Sequence, residues 1–169
     1  MKSRRASALF ELPVETADGI FLARYSETGL ASLDFPRNQR FARESQPADV
    51  PNQVKLWHRL TSRALAAVLA GKEPAELPPF DISSGTKFQQ SVWTALRKIG
   101  VGKTRSYSEI AKAIGKPKAV RAVGGACGAN RIPVLIPCHR VLAANSKLGG
   151  FSGGLDWKRT LLEREGISV

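Results

Sequence analysis

The sequence predicts an α+β protein. A small N-terminal antiparallel sheet with one helix covers residues 1–72, a linker covers 73–85, and a C-terminal helical domain, 86–169, contains a helix-turn-helix. Three observations carry this. Short apolar stretches alternate with turn dipeptides near the N-terminus. The spacing then becomes helical over residues 53–70. Beyond a proline-rich stretch, two capping boxes open short helices.

In chain order, residues 8–35 read as a small antiparallel meander. Ile20-Phe21-Leu22-Ala23 and Leu30-Ala31-Ser32-Leu33 are its apolar stretches, with turns at Asp18-Gly19 and Thr28-Gly29. Residues 36–52 are polar and contain proline, as in a loop. The helix over 53–70 places Leu56, Leu60, Ala64 and Val68, with Trp57 and Ala67 beside them, on one face, and Gly71 stops it. Three prolines mark residues 72–85, although Phe80-Asp81-Ile82 could return to the first sheet as a strand. Thr86-x-x-Gln89 opens a helix with Phe88, Val92, Leu96 and Ile99 inward, and Ser106-x-x-Glu109 opens a second, Tyr107 to Ile114. Gly115-Lys116 makes the turn, and Pro117 suits the first position of the next helix. That helix, 118–130, carries Gly124, Gly125 and Gly128, each costing about 1 kcal/mol of propensity against alanine. Two readings stay open for such a smooth face: tight packing on another helix, or close approach to a nucleic-acid groove.

Charge narrows the function. The formal net charge is +12 at pH 7, unevenly placed. Residues 1–84 hold 11 Lys/Arg and 10 Asp/Glu, a net +1; residues 85–169 hold 15 and 4, a net +11. A polyanion partner, nucleic acid above all, explains a basic half better than general solubility does. Met1-Lys2-Ser3-Arg4-Arg5 is followed by no apolar signal region, and no run approaches a membrane span, so a cytoplasmic protein is expected.

Two cysteines make no disulfide framework, and two cysteines with two histidines assemble no zinc set. Cys138 lies in Ile136-Pro137-Cys138-His139-Arg140-Val141, between a proline bend and two cationic neighbours. A reactive thiolate is the sharper reading, a buried small hydrophobe the plainer one. In an extended segment Cys138 and His139 would point to opposite faces, so the imidazole would act through a water or from a bent backbone. Glu165, in the last turn of a helix from Asp156, is a candidate to orient it. Gly149-Gly150-Phe151-Ser152-Gly153-Gly154 reads as a flexible lid for a flat ligand and lacks the lysine of a phosphate-binding loop. His58 reads as a surface or satisfied core residue.

Together these segments resemble the O6-alkylguanine-DNA alkyltransferases. The resemblance runs from Thr86 to Gly166, and its signature is Pro137-Cys138-His139-Arg140-Val141. Ser106-Tyr107, Arg121-Ala122-Val123-Gly124-Gly125-Ala126, Asn130, Pro133, Ser152-Gly153-Gly154 and Glu165-Gly166 support it. Residues 1–84 match only in outline. The resemblance implies DNA repair by one irreversible transfer of an alkyl group from O6-alkylguanine, and O4-alkylthymine, to Cys138. His139 and Glu165 would activate the thiol, and Tyr107 would supply a proton to the leaving guanine. Val141, Ser152, Phe151 and Asn130 would shape the substrate site. Arg121 would fill the gap left by a flipped base, with Ala122, Gly124, Gly125, Ser106 and Arg140 on the minor groove. A monomer without cofactor or metal is implied, with cooperative binding along DNA left open.

Three departures from the family pattern stand out. Phe151 replaces a common tyrosine, Arg131 replaces a proline after Asn130, and the first half lacks the zinc ligands of some eukaryotic members. The rival readings are a helix-turn-helix regulator that makes no use of Cys138, a damage-binding relative without transfer, and a cysteine hydrolase. The last is weakened by the adjacent Cys–His spacing.

Overall fold

The computed structural model describes residues 10–37 and 49–169; residues 8–9 of the expected meander and most of the 36–52 loop lie outside them. Strands β1 (Phe10–Thr16), β2 (Gly19–Tyr25) and β3 (Leu30–Asp34) form an antiparallel sheet in the order β1-β2-β3. Alternation sets the buried face: Leu12 and Val14 pair with Ala23 and Phe21, and Tyr25, Leu30 and Leu33 complete it. Helix α1 (Asn52–Leu69) covers this face with Val54, Thr61, Ala64, Leu65, Val68 and Leu69. Leu56, expected inward, is 42% exposed. The buried stripe is rotated because polar anchors belong to it: Tyr25 Oη lies 3.0 Å from Thr61 Oγ1 and 2.8 Å from His58 Nδ1. His58 Nε2 is also 3.0 Å from the Pro13 carbonyl, so His58 is a satisfied structural residue. Phe80 does return to the sheet, as a single parallel bridge to Leu30.

The C-terminal half is built from α2 (Lys87–Leu96), α3 (Tyr107–Ala113), α4 (Val120–Gly128) and α5 (Leu155–Arg164). Both capping boxes form, Thr86 with Gln89 and Ser106 with Glu109. Gly115 makes the turn after α3 at φ +75. Pro117 lies in a turn before α4 rather than at its first position, and α4 is shorter than its 118–130 span. Trp93 Nε1 donates to the Ala126 carbonyl at 2.8 Å and pins α4 on α2. Two short strands, β4 (Arg105–Ser106) and β5 (Val141–Leu142), pair in parallel. Two residues carry no periodicity, so this pairing was not visible in the sequence.

One buried cluster runs from Leu12 and Phe21 through Val92 and Leu96 to Leu161, joining both halves. The Leu33 amide donates to the Arg131 carbonyl at 2.9 Å, and Phe35 packs on Trp157 with centroids 5.0 Å apart. Arg164 holds Asp18 with two bonds of 2.7 and 2.8 Å and also donates to the Leu69 carbonyl. No helix among the described residues is long and apolar enough to cross a membrane.

Gly71 sits at this joint with φ +72, where a Cβ would run into the Arg164 carbonyl. Gly71→Ala should therefore lose about 2–4 kcal/mol in urea unfolding, from left-handed strain plus the clash. A loss below about 1 kcal/mol would show that the glycine is not needed there.

Candidate active site

The segment between α4 and β5 is bent three times, and each bend has a cause. Val134 is buried with φ +72, a strained conformation for a β-branched residue. Asn130 holds that bend from inside: its Oδ1 accepts from the Ile132 amide at 3.0 Å and its Nδ2 donates to the Ile136 carbonyl at 2.9 Å. Pro137, at φ −81 and ψ 63, closes an inverse γ-turn in which the Cys138 amide donates to Ile136 at 2.8 Å. Cys138–Arg140 then forms a single 3₁₀ turn. The bent alternative therefore holds, and the extended segment with opposed side chains does not.

Glu165 caps the C-terminal end of α5 and gathers this turn. Its side chain is fully buried. Oε1 lies 2.9 Å from His139 Nε2, and both oxygens accept from Arg140: Nε donates to Oε2 at 2.9 Å, and Nη2 donates to Oε1 at 2.9 Å. Arg140 Nη1 donates to the Ile99 carbonyl at 2.6 Å. Burial alone would raise the carboxyl pKa, but the bonds from His139 and Arg140 outweigh it and hold Glu165 at about 2. The ionised carboxylate requires the proton of a neutral imidazole on Nε2. Burial keeps His139 neutral by lowering its pKa, against the pull of Glu165. Its Nδ1 is then a buried lone pair, the one buried side-chain nitrogen or oxygen without a partner among the described residues.

Cys138 is buried, and burial raises its thiol pKa; a bond from Asn130 Nδ2, 3.2 Å from Sγ, opposes the rise. Cys127 is likewise pushed up to about 12 by burial. Tyr107 reaches about 12 by burial, so its phenol keeps its proton. Its hydroxyl lies against Gly149 in the glycine loop, where a Cβ would meet it. Phe151 is half-buried between Phe35 (5.6 Å) and His139 (6.5 Å). Gly153 lies flat on Phe35, and Ser152 stays exposed beside a cavity of about 310 Å³ shared with Asn130, Arg131 and Pro133.

The expected residues thus fall into three groups. Cys138, His139, Glu165, Asn130, Val141 and Tyr107 lie around the buried turn, with Phe151 and Ser152 on the loop beside it. Arg121, Ala122 and Gly125 are exposed on α4, Gly124 is half-exposed, and Ser106 caps α3. A Cβ at Gly124, Gly125 or Gly128 would meet nothing within 4 Å. Packing inside the protein therefore does not demand these glycines, and the helix-packing alternative falls. Arg140 needs correction: it is 4% exposed and its bonds go to Glu165 and Ile99, so it is not available to DNA. Its guanidinium is the counter-charge that keeps Glu165 ionised.

Sequence reasoning missed Lys158, which is fully buried on α5 with Nζ donating to the Val141 carbonyl at 2.7 Å. The signal was there: Lys158 shares a helical face with Leu161 and Leu162, both buried.

Glu165→Gln should cost about 3–5 kcal/mol at neutral pH, because Arg140 stays buried without its counter-charge. The sign with pH follows from the depressed pKa. Stability from Glu165 is complete above its ordinary value of 4.5 and is lost as pH falls towards about 2. Urea midpoints against pH should show this acid loss in the wild type and lack it in the variant. Parallel curves would separate Glu165 from acid unfolding.

The geometry agrees with known proteins along nearly the whole chain. Residues 87–167 match the model for the DNA-binding domain of 6-O-methylguanine DNA methyltransferases. A methylated-DNA–protein-cysteine methyltransferase of Methanosarcina acetivorans is 44% identical over 94% of this chain and 97% of its own length. One from Mycolicibacterium paratuberculosis is 53% identical over 60% of this chain and 61% of its own. Among solved structures, a Mycobacterium tuberculosis OGT in complex with DNA aligns at TM-score 0.67 and 35% identity, covering 90% of each chain. An O6-methylguanine DNA methyltransferase from Methanococcus jannaschii aligns at TM-score 0.66 and 28% identity, covering 94% of this chain and 95% of that one. With 44% identity to a relative over 94% of its length, the chain belongs to the methylated-DNA–protein-cysteine methyltransferase family.

Proposed function

We infer that the chain repairs O6-alkylguanine in duplex DNA by moving the alkyl group, once and irreversibly, onto Cys138 Sγ. The observation that carries this is a buried thiol followed, in the same 3₁₀ turn, by a neutral His139 whose Nδ1 is unpartnered and whose Nε2 is held by Glu165. Such an imidazole is a base kept in the right tautomer. It takes the thiol proton, relayed by a solvent molecule, and the imidazolium is stabilised by Glu165. Sulfur then attacks the alkyl carbon in line; the S–C bond forms as the C–O6 bond breaks, and its electron pair leaves with guanine. Tyr107, protonated at neutral pH, gives its proton to the purine and recovers one from the imidazolium through solvent. The proton lost by the thiol thus ends on guanine. A thioether has no leaving group that water can displace at neutral pH, so each molecule acts once. The same chemistry extends to O4-alkylthymine.

A base stacked in a duplex is out of reach of a buried thiol, so the target nucleotide must be flipped out. Exposed α4 suits the minor groove: its glycines leave the backbone open to close approach, and Arg121 projects where a base has left. Ala122, Gly124 and Gly125 lie along the docked face, with Ser106 at the start of α3. Ser152, Phe151 and the Val141 carbonyl wall the substrate site. The protein acts as a monomer in the cytoplasm and needs no cofactor. A regulator that used only the helix-turn-helix would leave the network around Cys138 without purpose.

Incubation with O6-methylguanine duplex should add the mass of one methylene to the peptide containing Cys138 and to no other. Cys138→Ala should gain nothing while keeping its affinity for DNA. Label on Cys127, or equal transfer by the variant, would overturn the assignment. Arg121→Ala should slow repair of duplex by about 10-fold or more, since unstacking costs a few kcal/mol, yet react normally with free O6-benzylguanine. Equal losses on both substrates would assign Arg121 to folding.

A further inference from the structure

Arg131 has no part in this chemistry, yet it stands close to the reacting sulfur. It borders the cavity of about 310 Å³ at the seam between the two halves, together with Arg37, Asn130, Ser152, Phe35 and Pro133. Small-molecule sites start at roughly 300 Å³. Asn130 joins the cavity to the thiol: it forms part of the wall, and its Nδ2 lies 3.2 Å from Cys138 Sγ. The space therefore begins one side chain from the atom that takes the alkyl group. The backbone at Arg131 is held on both sides. Its carbonyl accepts from the Leu33 amide at 2.9 Å, and the next amide, that of Ile132, donates to Asn130 Oδ1 at 3.0 Å.

The charges on the cavity wall do not balance. Arg24 and Asp34 also border it, but they answer each other at 2.6 Å, and Glu11 holds Arg24 as well. Among the described residues no carboxylate pairs with Arg37 or Arg131, so two exposed guanidinium groups are left at one cavity. A guanidinium grips a carboxylate through two parallel hydrogen bonds. Phe35 and Pro133 are buried and give the same space an apolar side, which suits a short carbon chain better than the charged backbone of DNA. A short chain with an anionic end fits both features.

We propose that the seam cavity is a subsite for the outer part of the alkyl group, and that Arg131, with Arg37, selects O6-alkylguanines whose alkyl group ends in a carboxylate, O6-carboxymethylguanine being the shortest. The proposal rests on Cys138 being the alkyl acceptor. Sulfur attacks the methylene carbon; the S–C bond forms as the C–O6 bond breaks, and the electron pair leaves with guanine, which takes the proton lost by the thiol. The product is S-carboxymethylcysteine, its carboxylate unchanged and still held by Arg131. Arg131 touches the transferred group and none of the reacting atoms, so its effect is on specificity.

The test mixes excess full-length protein with duplexes that carry O6-methyl-, O6-carbamoylmethyl- or O6-carboxymethylguanine. Single-turnover rates are read, with the mass gained by the Cys138 peptide. The carbamoyl group matches the carboxylate in size without its charge. Arg131→Met should lower the carboxymethyl rate by about 5-fold or more. The methyl and carbamoylmethyl rates should stay within about 2-fold, as for a surface substitution. Arg131→Lys should recover part of the loss. Equal slowing on all three lesions, with weaker binding to undamaged duplex, would make Arg131 a contact to the DNA backbone and overturn the proposal. Three unchanged rates would overturn it too, as would a wild type that accepts the methyl group and refuses the carboxymethyl group. If Arg131→Met does not fold, Arg37→Met carries the same comparison with the same readings. A wild type that gains no mass from any of the three duplexes would refute the repair function itself.

Discussion

A single buried carboxylate organises this molecule. Glu165 accepts from two consecutive residues, His139 and Arg140, and so fixes the turn that begins with Cys138. The same clamp reaches outward. Arg140 continues to the Ile99 carbonyl just beyond α2, and Glu165 itself ends α5 beside Arg164, which holds the N-terminal half through Asp18 and Leu69. Replacing such a buried ionic group with packed hydrophobes is often neutral or stabilising in other proteins, so its worth here is specificity of arrangement. One conformation of the turn satisfies all the donors at once, and that conformation sets the imidazole tautomer.

The electrostatics around Cys138 favour a thiol that is quiet at rest. Burial holds its proton on, as it does for Cys127 and for the Tyr107 phenol. For a protein that reacts once, this is protective, because the thiolate is the form that oxidants and stray electrophiles attack. Reactivity is instead stored nearby, in the unpartnered Nδ1 of His139. A buried nitrogen without a partner is a cost carried by the folded state. The N-terminal sheet contributes through its aromatic edge, where Phe35 seats Gly153 and Phe151 of the glycine loop.

Local chemistry was readable in the sequence, and non-local chemistry was not. The Thr86 and Ser106 capping boxes and the Asp18-Gly19 turn are written within four residues, and each formed. The face of α1 was misread because Tyr25, in another element, draws Thr61 inward. The β4–β5 pair escaped notice because its two strands lie far apart in sequence and are two residues each. In the site, Cys138 stood out by its neighbours, and Glu165 by its place in the last helix turn, but the contact between His139 and Glu165 spans 26 residues and no local pattern encodes it. Arg140 and Lys158 show the other limit. A cation in a basic sequence reads as a surface charge, yet Arg140 is bonded to Glu165 and Lys158 to the Val141 and Gly150 carbonyls, both buried. The glycines of α4 had two explanations that sequence could not separate; the open space at each decided it.

The central claim is that burial keeps His139 a neutral base, and Glu165 keeps its proton on Nε2. Nitrogen-15 resonances of the imidazole, followed from neutral pH downward, test it most directly. The Nε2–H tautomer should predominate at neutral pH and persist below the ordinary histidine value of 6.5, since burial lowers the pKa. An imidazolium at neutral pH, or a proton on Nδ1, would contradict it.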